Sequence, residues 1–210
     1  MSEAVSDPVR VSVIYYSATG TISEIASVLA KVAEAEGAEV RLRRVAELAP
    51  EAAIDANPAW RAHADATKHI PEATAEDVVW SDAVIFGSPT RYGNVAAQLK
   101  QFLDTLGPQW QEGLLADKVY SGFASSATRH GGQESTLLAL YNTIHHFGGI
   151  IVSPGYTDVS KFTDGNPYGT SHVDGQGQLP VDDETRTAAT VQAKRAVQVA
   201  AALRTVQKAG

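Results

Sequence analysis

Across 210 residues the chain carries 24 acidic and 17 basic side chains and no cysteine, for a formal charge of −7. Without cysteine there is no disulfide, no thiolate metal site and no cysteine nucleophile, so any redox chemistry would have to come from a cofactor. The basic side chains form no run of five or more, which argues against nucleic acid as a partner, because phosphate-backbone binding leaves a basic footprint.

The length suits one α/β domain over 1–210 rather than two independent cores. The opening "MSEAVSDP" is acidic and polar where a signal peptide needs a basic start and an apolar core. No apolar stretch approaches the roughly 18 residues of a membrane span. A cytoplasmic protein with no membrane insertion is expected.

Residues 9–16, "VRVSVIYY", alternate and then run apolar, as a strand entering a buried sheet does. Ile22, Ile25, Ala26, Leu29 and Ala33 follow at helical spacing, and Gly37 stands where a C-terminal cap belongs. "EVRLRR" reads as a second strand near a sheet edge, completing a βαβ unit. Residues 46–77 are rich in alanine, and Pro50, Pro58 and Pro71 break any long helix, so this stretch predicts an excursion. "DAVIFG" (82–87) is the third strand, followed by a helix with Val95, Leu99, Phe102, Leu103 and Leu106 on one face. "KVYSGFAS" (118–125) is the fourth, and its helix runs through Leu137, Leu140, Tyr141 and Ile144 to Gly148 and Gly149. "GIIVSP" supplies a fifth strand. Residues 155–180, rich in glycine, predict a long loop, and a last helix starts near Asp182 or Asp183 and lines up Val191, Ala196, Val199, Leu203 and Val206. Five apolar strands alternating with helices predict a doubly wound parallel sheet covered on both faces.

In such a sheet ligands collect at the carboxyl ends of the strands. Three loops fall there: "SATGTI" after strand one, "SPTRYGN" after strand three and "SSATRHGGQE" after strand four. The first opens a helix, whose amino-terminal N–H groups and dipole favour an anion; Gly20 lets the backbone come close, and Ser17, Thr19 and Thr21 can donate to phosphate oxygens. It has neither the lysine of a P-loop nor a G-x-G-x-x-G, so a terminal monophosphate matches it best. An ordinary helix-capping loop has the same residue types. In the second loop, Pro89, Thr90, Arg91, Tyr92 and Gly93 offer backbone and side-chain groups to a planar ring, and Arg91 brings a cation that would favour an anionic reduced flavin. Pro89 and Gly93 can equally shape a turn before a helix capped by Asn94.

Together "YYSATGTI", "IFGSPTRYGN", "SSATRHGGQE", "HHFGGIIV" and "NPYG" give a chain that resembles the WrbA-type NAD(P)H:quinone oxidoreductases, FMN enzymes with a flavodoxin-like fold, from Val9 to Leu203. The resemblance implies a five-stranded sheet in the order 2-1-3-4-5 and tightly bound FMN at the switch point. It also implies NAD(P)H and a quinone as small-molecule partners, and a homotetramer whose neighbouring subunits complete each site. It assigns Ser17, Ala18, Thr19, Gly20, Thr21 and Ile22 to the phosphate, Thr90, Arg91 and Tyr92 to the ring, and Ser125, Ser126, Ala127, Thr128, Arg129, His130 and Gly131 to the third loop. Thr19 falls near the nicotinamide, Trp110 borders the substrate, and His145 reaches the flavin cavity. Family members often have an aromatic residue where Thr19 stands, and glycines where Arg129 and His130 stand. Those two side chains would either narrow the cavity or offer charge to an NADPH phosphate.

The expected reaction is a two-step exchange, hydride from NAD(P)H to the flavin and a hydride equivalent from the flavin to a quinone, with His145 as candidate donor of the proton that quinol formation needs. A partly buried histidine capping local carbonyls is the plainer account of His145. For Trp110 it is interface packing. His130 and Glu134 lie four apart, but no third ligand is evident and no metal is expected. Two other functions stay open at this level: a flavodoxin-like one-electron carrier, and a structural or regulatory protein with a degenerate flavin site.

Overall fold

Val11, Val13 and Tyr15 point to one side of the first strand and Ile14 and Tyr16 to the other, and all five are buried. A strand apolar on both faces has to lie inside a sheet covered on both sides. The computed structural model describes residues 7–207. Its strands are β1 (Arg10–Tyr15), β2 (Glu39–Arg44), β3 (Ala83–Pro89), β4 (Val119–Ser126), β5 (Ile150–Ile151) and β6 (Thr170–Val173). The first five form the parallel order β2-β1-β3-β4-β5, flavodoxin-like, and β6 is added alongside β4.

The helices are α1 (Thr21–Ala35), α2 (Glu51–Asp55), α3 (Pro58–Ala66), α4 (Ala75–Trp80), α5 (Ala97–Asp104), α6 (Gly107–Gln111), α7 (Gln133–Phe147), α8 (Lys161–Asp164) and α9 (Asp183–Gln207). One face of the sheet packs α1 and α9 against Val11, Val13, Ile85 and Phe123. The other packs α5 and α7 against Ile14, Val84, Phe86 and Tyr120. Fully burying side chains of this size stabilises by about 1.5–3 kcal/mol each before ordering costs. Among the described residues no helix is long and apolar enough to cross a membrane.

β2 is the sheet edge, and its arginines keep that edge occupied. Arg41 and Arg43 both bind the Asp77 carboxylate, at 3.1 and 3.0 Å, and Arg41 also lies over the Trp80 ring. Burial works to raise the Asp77 carboxyl, but the Thr74 N–H and hydroxyl, Arg43 and Arg41 outweigh it and hold it below the usual carboxylate range.

Three expectations change. The excursion at 46–77 is folded: Asn57 caps α3 by accepting from the Ala59 and Trp60 N–H groups, with Pro58 at the first helical position. Along α9 the buried stripe is Ala189, Gln192, Ala193, Ala196 and Ala200, whereas Val206 is exposed; the small side chains let α9 close on α1.

The third change positions the site. The stretch 155–180 is not a plain loop but returns to the sheet. β5 pairs only with Val119 and Tyr120, and Pro154 then ends its path. β6 pairs with the far half of the same strand, Phe123 to Ser126. Gly169 permits that approach, because a Cβ there would stand 2.1 Å from the Gly122 carbonyl oxygen.

Candidate functional site

β1, β3 and β4 are neighbours and parallel, so the chain after each is delivered to one edge. Tyr16 donates its N–H to Gly87 O at 3.0 Å and Thr90 donates to Ser125 O at 2.8 Å, which holds the three loops side by side. In the first loop Gly20 is the N-cap of α1, at φ +114°, and has no side chain to cap with. Ser17 Oγ accepts from the Gly20 N–H at 3.1 Å, while the N–H groups of Thr21, Ile22 and Ser23 find no acceptor among the described residues. The hydroxyls therefore do not serve as an ordinary helix cap. Open amides at the positive end of a helix suit an anion.

Ser17, Ala18, Thr19, Thr21 and Ile22 line a cleft of about 230 Å³ that is closed on its other side by Pro89, Arg91 and Ser125. It runs into a second space of about 410 Å³ lined by Thr90, Ser126, Ala127, Thr128 and Gly131. Thr19, Pro89, Arg91, Ser125 and Asp174 border both.

Other residues singled out in the sequence lie elsewhere. Tyr92 is 102 % exposed at φ +54°, and its ring lines neither space. Gly93 follows at φ +77°, and a Cβ there would stand 2.7 Å from Ser135 Oγ, so the two residues shape the turn against α7. Arg129 and His130 face a separate polar cavity with Gln133, Asp164 and His172. His145 is exposed in the last turn of α7, roughly 18 Å of helix from Gln133 at its start. Trp110, half exposed on α6, donates its indole N–H to the His146 carbonyl at 2.7 Å. Within one chain, then, His145 and Trp110 stand at the amino-terminal end of the sheet, away from the three loops.

The cleft also has walls that were not legible as such. Asn57 and Trp60 come from α3, and Asp174, Gln176 and Gly177 from the segment after β6. The Asn-Pro pair at 57–58 is a readable helix start, whereas "TSHV" between glycines has only the length and β-branched ends of a short strand and no apolar run. Neither pattern says which edge of the sheet its segment meets.

The donor set fits the phosphate end of FMN, with open amides and neutral hydroxyls around a glycine whose backbone is bare. One group is discordant. Asp174 Oδ2 accepts from the Thr21 hydroxyl at 3.4 Å, placing a carboxylate at the edge of an anion seat.

Comparison with known proteins bears on the same region. Residues 9–164 match the family model of NADPH-dependent FMN reductase. A Deinococcus radiodurans protein named NAD(P)H dehydrogenase (quinone) is 44% identical over 197 residues, covering 93% of this chain and 98% of that protein. One of the same name from Geotalea daltonii is 42% identical, covering 91% and 96%. Among solved structures, the flavodoxin, WrbA-like protein from Agrobacterium tumefaciens superposes with a TM-score of 0.65 at 23% identity, covering 92% of this chain and 98% of that one, which bears on the fold alone. By its match over 9–164 and its near full-length relatives, the chain belongs to the NADPH-dependent FMN reductase family, alongside these NAD(P)H dehydrogenases (quinone).

Proposed function

We propose that the protein is an FMN-dependent NAD(P)H:quinone oxidoreductase, with FMN held tightly in the cleft between the three loops. The observation that carries this reading is the uncapped amino terminus of α1 inside a hydroxyl-rich loop, joined to a space large enough for the rest of the flavin. The family match and the relatives' names supply the reaction class. When bound, FMN supplies the two-electron chemistry, and the chain supplies binding and electrostatics.

Ser17, Thr19, Thr21 and the open amides of Thr21, Ile22 and Ser23 would hold the phosphate. Thr90, Arg91 and the backbone from Ser125 to Thr128, with Gly131, border the ring. Arg91 is the cation at that border, and it favours the flavin state carrying more negative charge. The deciding experiment is anaerobic stopped-flow mixing of the flavin-loaded protein with NADH or NADPH, followed by a benzoquinone. Bleaching of the flavin band by at least one nucleotide and its return with quinone is the expected result. A flavin that stays oxidised with both would leave a one-electron carrier.

The homotetramer belongs to the same proposal. Exposed apolar side chains at Tyr156, Val159 and Phe162 support an interface, and His145 and Trp110 would reach a cleft only on a neighbouring copy. Light scattering that returned a fully active monomer would overturn this part. The cytoplasm, where NAD(P)H is abundant, is the compartment proposed.

Asp174 gives a graded test of the phosphate assignment. A carboxylate beside a phosphate dianion repels it, and solvent screening keeps that repulsion modest. Asp174→Asn is expected to tighten FMN roughly fivefold while leaving riboflavin unchanged, the size of one screened unit charge. Fluorescence titration reads both. Weaker binding of both flavins would instead make Asp174 an acceptor for the sugar-like chain.

A further inference from the structure

The geometry points to His63, on the helix α3 of the excursion, as the proton-bearing partner of the flavin phosphate. The inference rests on the FMN reading and adds a residue from outside the three loops.

His63 stands against the phosphate loop: a methyl group placed on Gly20 would meet its Nδ1 at 3.6 Å. Its ring lines a cavity of about 170 Å³ shared with Tyr15, Tyr16, Ser17 and Trp60. Trp60 and Ser17 also line the phosphate cleft, so this cavity and the cleft adjoin. One turn apart on α3, Trp60 and His63 therefore present one face to the first loop.

The charged and titratable groups that face His63 are already satisfied. From β1, the Tyr15 hydroxyl pairs with Ser23 Oγ at 3.0 Å, and Tyr16 donates to Glu47 Oε2 at 2.9 Å. Glu47 also accepts from Gln98 at 2.7 Å and from the Trp60 indole. From β2, Arg44 pairs with Glu72 at 3.0 Å. On α2 and α3, Glu51 pairs with Arg61, which also binds Asp55, and Lys68 pairs with Asp65 at 2.8 Å. The His63 imidazole has no hydrogen-bond or ion-pair partner among the described residues, and it is half-buried. Burial alone holds it below the ordinary histidine value, which is the behaviour of a ring with no anion beside it.

An anion in the loop supplies the missing partner. The dianion would raise the imidazole's proton affinity, so FMN binding takes up a proton from solution. The sign follows: the gain in affinity is full while His63 is protonated in both states, and it is lost as pH rises through the bound-state value. The phosphate's own ionisation acts the other way, since its dianion grows with pH, so weakening toward high pH cannot come from the ligand.

The test titrates the apoprotein with FMN and with riboflavin at about pH 6 and about pH 8.5, for the wild type and for His63→Gln. Wild-type FMN affinity is expected to fall a few-fold across that range, less than an assumed tenfold change in imidazole proton affinity on binding, because the lowered free-state value leaves the ring partly deprotonated at about pH 6. Riboflavin should stay flat, and its unchanged binding to His63→Gln shows that α3 still folds. His63→Gln should match the wild type's affinity at high pH and lack the fall toward high pH, its FMN affinity holding or rising from about pH 6 to about pH 8.5. Calorimetry in two buffers of different ionisation enthalpy should show more proton uptake by the wild type than by the variant, the difference being the proton taken up by His63. The same pH slope and proton uptake in both proteins would overturn the inference. No FMN binding at any pH would overturn the FMN reading instead.

Discussion

Gln192→Leu is expected to lower the stability of the fold by about 3 kcal/mol, the sum for leaving two buried backbone groups unpaired at about 1–3 kcal/mol each. Gln192 lies on α9 and is 1 % exposed. Its Oε1 accepts the Thr170 N–H at 2.8 Å, and its Nε2 donates to the Gly122 carbonyl and to Ser121 Oγ, both at 2.7 Å. Ser121 keeps its own bond to the Val152 carbonyl, so the loss falls on Thr170 and Gly122. These are the groups where β6 joins β4, beside the contact between Gly169 and Gly122. Leucine fills the space and satisfies none of them. A urea midpoint lower by about 1 M is the expected readout for a chain of this size. Hydrogen exchange should place the loosening in residues 170–174 and leave β1 protected. An unchanged midpoint, or exchange that rises evenly across the sheet, would mean that the amide is not what holds β6.

The β6 attachment also shows where sequence reading reached its limit. β1, β3 and β4 were legible because burial on both faces writes continuous apolar runs, and their helices because α1, α5 and α7 each carry a periodic apolar face. β6 writes neither signal. Its four residues alternate buried Thr170 and His172 with half-buried Ser171 and Val173, and the two inward side chains are polar. His172 sits in the core through its bonds to Thr185 and to the Leu179 carbonyl, information held thirteen and seven residues away. The same reason hid the alanine stripe of α9, where contact depends on small side chains and the larger Val206 faces solvent.

At the site, the three loops were legible because strand ends in a parallel sheet converge, and Ser17, Thr19, Thr21, Arg91 and Ser125 do share one cleft. Adjacency in the chain misled for Arg129 and His130: past the Ser126 Oγ bond to the Thr128 carbonyl at 2.6 Å, their side chains line a separate cavity bordered by α8 and β6. Asn57, Trp60 and Asp174 were out of reach for the opposite reason. They are distant in sequence and come to the cleft only through the packing of α3 and the pairing of β6.

Gly20→Ala is expected to weaken FMN about thirtyfold, corresponding to about 2 kcal/mol of backbone strain. Space is not the obstacle, because the new Cβ would meet His63 Nδ1 at 3.6 Å, an ordinary contact. The obstacle is φ +114°, which an L side chain rarely adopts and glycine adopts freely. In the apoprotein the alanine loop can relax to a negative φ at the cost of the Gly20 N–H bond to Ser17 alone, because the N–H groups of Thr21, Ile22 and Ser23 have no partner among the described residues. Binding the phosphate requires those amides to converge again, so the strain is charged to the ligand and only slightly to folding. The thermal midpoint of the apoprotein should therefore move little while the FMN dissociation constant rises. Riboflavin, which lacks the phosphate, should lose far less. A lower midpoint with FMN affinity intact would place the strain in the fold itself. Equal losses for FMN and riboflavin would move the phosphate away from the α1 amino terminus, and with it the partner assigned to His63.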